Sequence, residues 1–245
     1  MKKNSLNYYK EASTALIAII LLTLIFGFND NKPVFIFKDW LKNLVNVFII
    51  ICFVLFFNLL GYKLAAKYLG TNIKLKIWNS QKFKGKLLRL KNIDLAYTTP
   101  ILAILIMLIS NGRIFFSTVL TFTVEKFKVL GKRFPYLTDY HVALIVVTGM
   151  FFNFILMLFF KLTNVELGIK ISSWFILFNF LPVSELPGAK LFFGSRTLWV
   201  FSLIFFLVNI FLINSLSMAS AILLSFLFSV VFGVIYFYFF EYMKA

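Results

Sequence analysis

The sequence predicts an all-α polytopic membrane protein with about six transmembrane helices, organised as one integral membrane domain over residues 1–245. Three observations lead to this prediction. Of the 245 residues, 61% are hydrophobic, and the mean hydropathy is +0.93. One soluble core cannot bury that much apolar surface, so lipid must cover part of it. Long apolar runs recur along the chain, and basic residues cluster between them, as in the loops of membrane proteins.

Six apolar runs are long enough to be transmembrane helices. A span needs ~20 residues, and fewer where flanking lysines reach the interface. The runs are Ala12–Phe28, Asn43–Tyr62, Tyr140–Phe160, Ile169–Leu186, Thr197–Ile213 and Leu216–Phe240. The first run follows three lysines, as the apolar part of a signal peptide does. Residues 26–30 offer no cleavage site between small residues, so we expect a retained first helix.

The segment Pro100–Ile109 is apolar but too short to span, so we expect it to be re-entrant or interfacial. Nine Lys or Arg residues lie between positions 63 and 91, and five more lie between positions 113 and 133. The positive-inside rule places both groups in the cytoplasm. Both groups stay there if Pro100–Ile109 dips into the membrane and returns. The predicted topology is therefore six spans with both termini cytoplasmic.

Two segments show the alternation of a β-strand. Lys74–Lys91 alternates basic with apolar residues and predicts a short cytoplasmic β-hairpin, and Ile114–Val124 is a weaker candidate strand. The net charge of +16 would suit nucleic acid. A cytoplasmic face lying on anionic lipid headgroups explains the charge better. We therefore predict the lipid bilayer as a partner and no nucleic acid.

The stretch from Asn58 to Gly70 has the form of a zinc-binding helix without its ligands. In an H-E-x-x-H helix, two histidines on one face hold Zn²⁺ and the glutamate is the general base. Here Asn58, Leu59 and Tyr62 stand at the first histidine, the glutamate and the second histidine, and Gly61 is kept before the second ligand position.

Two companion motifs follow in order. Residues 149–153, Gly-Met-Phe-Phe-Asn, match a G-P-x-x-N motif with Met150 for proline. Residues 179–190, Asn-Phe-Leu-Pro-Val-Ser-Glu-Leu-Pro-Gly-Ala-Lys, match an N-L-L-P-x-x-x-L-D-G motif. The chain thus resembles the site-2 protease family of intramembrane zinc metalloproteases, in its short microbial form without a PDZ domain. The resemblance covers about residues 46–193, and hydropathy alone matches the flanking helices 12–28, 197–213 and 216–240.

The resemblance implies a degenerate member of the family. The third metal ligand of the family is the aspartate of the last motif, and Pro187 stands there. With Asn58, Leu59 and Tyr62 at the other positions, no catalytic residue, metal ligand or cofactor is predicted. His141 and Cys52 are the only histidine and cysteine. They would have to meet Glu185 from three separate elements, which argues against another zinc site.

The retained motif residues are the candidate site. The resemblance implies that Gly149, Asn153, Asn179, Pro182 and Gly188 lie near a groove for a substrate helix. The alternative for the two asparagines is a hydrogen bond between helices. We expect Asn58 and Tyr62 to form a polar plug, bonded to each other or to the loop around Pro187. Glu185 is expected to pair with Lys190 or with a cytoplasmic lysine.

Three functions remain open. The first is a pseudoprotease, catalytically inactive, that binds transmembrane segments or regulates a membrane partner. The second is an active intramembrane metalloprotease with a non-standard site, which would need zinc. The third is a structural subunit of a membrane complex, docked through its Phe-rich helices.

Overall fold

The computed structural model describes residues 2–30, 32, 34–77, 98–112, 115, 117, 119–126, 137–183 and 185–243. The predicted, mostly helical architecture is confirmed. The helices are α1 (Lys2–Gly27), α2 (Phe37–Tyr68), α3 (Thr98–Ile109), α4 (Asp139–Leu162), α5 (Glu166–Asn179), α6 (Pro187–Gly194), α7 (Arg196–Leu212) and α8 (Met218–Tyr236). The last continues as a π-helical turn, Phe237–Tyr242, and the strands are β1 (Thr71–Ile77) and β2 (Leu120–Lys126).

Within the described residues, three helices are long and apolar enough to cross a membrane: α2, α4, and α8 with its π-helical turn. The chain is thus a membrane protein. Glu11–Gly27 in α1 and α7 are apolar but shorter. The predicted span Ile169–Leu186 departs further from the structure, because the helix at this position, α5, ends at Asn179. The sequence contains Pro182, and a proline biases the preceding residue away from helical backbone. Apolarity alone did not reveal this interruption.

Helices α1 and α2 pack antiparallel and define two ends of the molecule. At one end Lys63 Nζ lies 3.8 Å from Glu11 Oε2, and β1 follows α2 directly. We call this the sheet end. At the other end Asn43 Nδ2 donates to Gly27 O over 3.3 Å, and Trp40 Nε1 donates to Phe28 O over 3.0 Å. We call this the far end.

The sheet consists of β1 and β2, which pair antiparallel from Thr71 opposite Lys126 to Ile77 opposite Leu120. Alternation thus correctly predicted a strand at the start of 74–91 and another within 114–124. The partner of β1 among the described residues is β2, which alternation alone did not predict, because alternation identifies a strand but not what it pairs with. The second half of the predicted hairpin lies outside the described residues.

The end of α3 lies at the far end. Asn29 Nδ2 donates to Asn111 O over 3.0 Å. Gly112 has φ +68° and lies against Asn29, so a side chain at Gly112 would be strained and would also collide. The next strand, β2, begins at Leu120 and lies at the sheet end. The chain therefore returns from the far end to the sheet end between α3 and β2. On this path Phe115 stacks on Phe26, with ring centroids 5.0 Å apart, and is buried.

The described residues of this return path, Phe115, Ser117 and Val119, are buried, which suits a membrane protein. Ser117 is 1% exposed, and its hydroxyl donates to Trp174 O over 3.4 Å. Backbone outside a helix is tolerated at membrane depth only where protein covers it. The end of α3 and the path back to β2 thus have the arrangement that a re-entrant segment requires.

Helix α4 begins at the sheet end with a capping box. His141 N and Thr138 Oγ1 are 3.4 Å apart, and Thr138 N donates to His141 Nδ1 over 3.2 Å. These bonds satisfy two backbone N–H groups of the first turn. His141 thus helps to cap the start of α4.

Candidate functional site

Four of the predicted motif positions line one small cavity. Asn58, Leu59 and Tyr62 of α2 line it together with Asn179 of α5 and Thr121 of β2. The cavity volume is about 10 Å³, which is room for one water molecule. The four polar side chains are all buried, at 3–4% exposure. The helix register predicted by the H-E-x-x-H match therefore does bring these positions to a common interior site.

Asn58 and Tyr62 are neighbours in this cavity, as expected one helical turn apart. The Asn58 side chain lies close enough to influence the Tyr62 hydroxyl. No hydrogen bond of regular geometry reaches that hydroxyl or Asn58 Nδ2 from any residue that the structure describes. A buried polar atom left unpaired costs ~1–3 kcal/mol. The site is therefore a polar interior held at some cost in stability.

Glycines let α2 and α4 approach closely beside the cavity. A methyl group added at Gly61 would lie 2.8 Å from Gly149 Cα. One added at Gly149 would overlap the ring of Tyr62. Small residues at such crossings let helix backbones come into contact in membranes. The two retained motif glycines thus explain how the large Tyr62 side chain fits at a ligand position.

Strand β2 lines the cavity with Leu120 and Thr121, and its Phe122 packs beside the cavity together with Lys190 of α6. The Phe122 ring lies 4.7 Å from the Tyr62 ring between centroids, and Lys190 Nζ lies 4.3 Å from the Phe122 centroid. Lys190 Nζ also donates to Thr121 Oγ1 over 3.0 Å and to Phe122 O. Thr121 Oγ1 donates to Glu185 O over 2.6 Å. These contacts attach β2 to the start of α6.

Lys190 is a buried cation outside the spanning helices. Burial lowers its pKa to about 8, Glu185 opposes this shift, and Lys76 of β1 adds to it. Glu185 and Lys190 form no salt bridge within the described part of the chain, although the charge of Glu185 acts on Lys190, and the alternative pairing of Glu185 with a cytoplasmic lysine stays a prediction. Glu185 is exposed rather than deep, and its backbone oxygen makes the contact with Thr121.

The two motif asparagines occupy different settings. Asn179 lines the cavity and donates to Phe175 O of its own helix over 2.7 Å. Asn153 in α4 is fully buried, and its amide atoms find no hydrogen-bond partner among the described residues. Of the two asparagines, only Asn179 thus lies in the cavity with Asn58, Leu59 and Tyr62.

The third motif, residues 179–190, forms the end of α5, the loop that follows it and the first turn of α6. Pro187 is the first residue of this helix, where its missing N–H costs nothing. It is buried but does not line the cavity, so the expected contact of Asn58 or Tyr62 with its loop is not among those seen. Gly188 packs on the backbone of Phe180 and Leu181. Pro182 is exposed, with Leu181 and Val183 beside it.

Sequence reasoning missed the contribution of β2. Thr121 lines the site, and Phe122 and Lys190 pack beside it, yet the residues of β2 belong to no motif. Lys190 is the last residue of the third motif, and the sequence predicts for it only a pairing with Glu185. Among the described residues, no group of three or more His, Cys, Asp or Glu side chains is placed to hold a metal ion.

No family model, curated protein or solved structure matches this chain significantly. The relation to the site-2 proteases therefore stays a prediction from the three motifs.

Proposed function

We propose that the chain is a catalytically inactive relative of the site-2 proteases, a pseudoprotease that holds a transmembrane segment of a partner protein without cutting it. One observation carries the proposal. Asn58, Leu59 and Tyr62 line a single small cavity with Asn179, as a degenerate catalytic centre of that family would.

The chemistry of the cavity supports inactivity. An amide, a phenol and an aliphatic side chain replace the two imidazoles and the carboxylate that the reaction needs. The ammonium of Lys190 is hydrogen-bonded to Thr121 on the cavity wall. A fixed positive charge there disfavours a second cation nearby.

The segment-binding surface in this proposal is the loop after α5. Leu181 and Val183 are 37% and 47% exposed, and Pro182 between them is exposed as well. The cavity itself is too small to admit a peptide. A partner segment would pack on this loop, next to the site but outside it. Six spans with cytoplasmic termini complete the proposal.

A photoreactive phenylalanine derivative introduced at Val183 tests this function in native membranes. We expect mass spectrometry to map the crosslink to a hydrophobic segment of a partner that remains full length. The matched control is the same probe at Leu223 of α8, which is 64% exposed. A partner cleaved at the captured segment would overturn the proposed inactivity.

A structural subunit is the second candidate, and the surface of α8 favours it. Only 22% of the most apolar stretch of 18 residues in this helix is buried within the molecule. Its exposed side chains include Phe226, Phe228 and Phe232. Crosslinks from Leu223 but not from Val183 would favour this candidate over the pseudoprotease.

A further inference from the structure

A groove of about 460 Å³ lies between α7 and α8, where the first turn of α4 closes one end. Its lining changes along its length. Tyr140, Ser195 and Thr197 provide polar groups at that end, and Phe201, Val230 and Val234 make the remainder apolar. The volume falls in the usual range for small-molecule sites, roughly 300–1,000 Å³.

The polar end of the groove belongs to the sheet end of the molecule. Gly194, at the end of α6, packs on Asp139 O at the start of α4. Lys190 in the same short helix contacts β2. The groove thus runs from the sheet end along the lipid-facing side of α8, where Val230 and Val234 are 37% and 63% exposed.

Thr197 lines the polar end of the groove and Arg196 precedes it as the first residue of α7, and both carry groups suited to a phosphate ester. Thr197 Oγ1 is inaccessible to solvent and has no hydrogen-bond partner in the described part of the chain. Arg196 beside it is exposed, with its guanidinium carbon 5.6 Å from the Phe192 ring centroid. A guanidinium offers phosphate two parallel hydrogen bonds.

We propose that this groove binds one glycerophospholipid molecule, with an acyl chain between α7 and α8 and its phosphate held by Arg196 and Thr197. The gradient from polar to apolar lining matches an amphiphile lying at the membrane interface. Phe201 and Phe226 remain in contact across the two helices, with ring centroids 6.1 Å apart. A partner helix, ~10–12 Å wide with its side chains, would therefore lie above the groove rather than in it.

The charge at this end makes the acyl chain necessary for binding. Asp139 and Glu241 also lie at the sheet end and repel a free anion, whereas a lipid adds the apolar contacts of its chain. Inorganic phosphate should therefore bind far more weakly than the lipid. The proposal is independent of the proposed function, because the groove shares no lining residue with the cavity.

Three variants alter the groove and two serve as controls. In Gly233→Leu the new Cβ would meet Phe201 at an ordinary contact distance of 3.5 Å, and the rest of the side chain would occupy the groove that Gly233 lines. Thr197→Val and Arg196→Gln remove the polar contacts and keep the shape. The controls are Val231→Leu, on an exposed part of α8 outside the groove, and Lys161→Gln, at the C-terminal end of α4.

Native mass spectrometry of the delipidated protein, titrated in detergent with palmitoyl-oleoyl phosphatidylglycerol, measures the effect. We expect one tightly bound lipid per wild-type chain and about tenfold weaker binding for Arg196→Gln. Gly233→Leu should lose the bound lipid, and Thr197→Val should weaken it. Both controls should bind as the wild type does, and inorganic phosphate should not compete.

Equal binding by wild type, Thr197→Val and Gly233→Leu, with thermal unfolding showing that all three are folded, would overturn the proposal. So would competition by inorganic phosphate at lipid-like concentration, or crosslinking of a protein helix to Val234 in place of lipid.

Discussion

At the scale of single residues, Tyr62 and Gly149 depend on each other. Tyr62 fills the space that a smaller ligand side chain would leave, and Gly149 provides room for its ring. In the resemblance these two positions belong to separate motifs, and the structure joins them by direct contact. Their contact shows that the fold accommodates a large aromatic ring at position 62.

A double-mutant cycle measures this dependence. Gly149→Ala should lower the free energy of unfolding by about 1–3 kcal/mol, because the new methyl group collides with the Tyr62 ring. In a Tyr62→Leu background the same change should cost less, and the difference is the coupling energy. Gly233→Ala is the control, expected to stabilise by up to ~1 kcal/mol as a helix-interior glycine with free space. Equal costs in both backgrounds would contradict the contact.

Lys190 predicts a pH dependence of stability in detergent. Its folded-state pKa of about 8 is below that of a lysine in the unfolded chain, at 10.5. Between pH 8 and pH 10.5 the unfolded chain binds more protons at this lysine than the folded protein does. The free energy of unfolding should therefore rise with pH over this range. Below pH 8 both states carry the charge and the contribution is constant. The groups that face Lys190 are Glu185 and Lys76, which act in opposite directions.

Chemical unfolding measured from pH 7 to pH 10 checks this prediction. Lys190→Met keeps the length of the side chain and should abolish the rise. Lys161→Met, at the C-terminal end of α4, should keep it. A rise unchanged in Lys190→Met would assign the effect to other groups.

At the scale of elements, the helices were predictable because apolar runs of sufficient length leave few alternatives. Alternation revealed β1 and β2 individually, but their pairing depends on a fold in which the chain returns from the far end. The break after Asn179 was hidden because the residues that follow are also apolar. The cavity was predictable through the spacing of Asn58 and Tyr62 on α2, whereas Phe122 and Lys190 reach it only through tertiary packing.

Restoring the motif tests the register of α2 against α5 and α6. The variant Asn58→His, Leu59→Glu, Tyr62→His and Pro187→Asp should bind about one equivalent of zinc if these positions converge. Adding Lys190→Met should tighten binding, since the buried cation nearby is removed. Omitting Pro187→Asp is the control and should weaken it. A folded quadruple variant without zinc, measured by metal analysis, would count against the match.

At the scale of the whole molecule, the two ends differ in the charges that they carry, since the far end has a Lys32–Asp39 ion pair and the sheet end has lysines in excess of acidic residues. Lys63, Lys67 and Lys190 lie at the sheet end, together with the start of α4. Asn29 and Asn111 meet at the far end. From the positive-inside rule we therefore expect the sheet end to be cytoplasmic. The end of α3 would approach the opposite face of the membrane, which is deeper than an interfacial segment would reach.

Cysteine labelling in intact cells tests this orientation. In a Cys52→Ala background, Ser110→Cys and Thr163→Cys should react with a membrane-impermeant maleimide added outside, because both positions lie at the far end. Lys67→Cys, exposed at the sheet end, should react only after permeabilisation. Ser110→Cys is the decisive variant, since an interfacial Pro100–Ile109 would keep it on the cytoplasmic side. Labelling of Ser110→Cys together with Lys67→Cys, and not with Thr163→Cys, would contradict a re-entrant segment that reaches the far end.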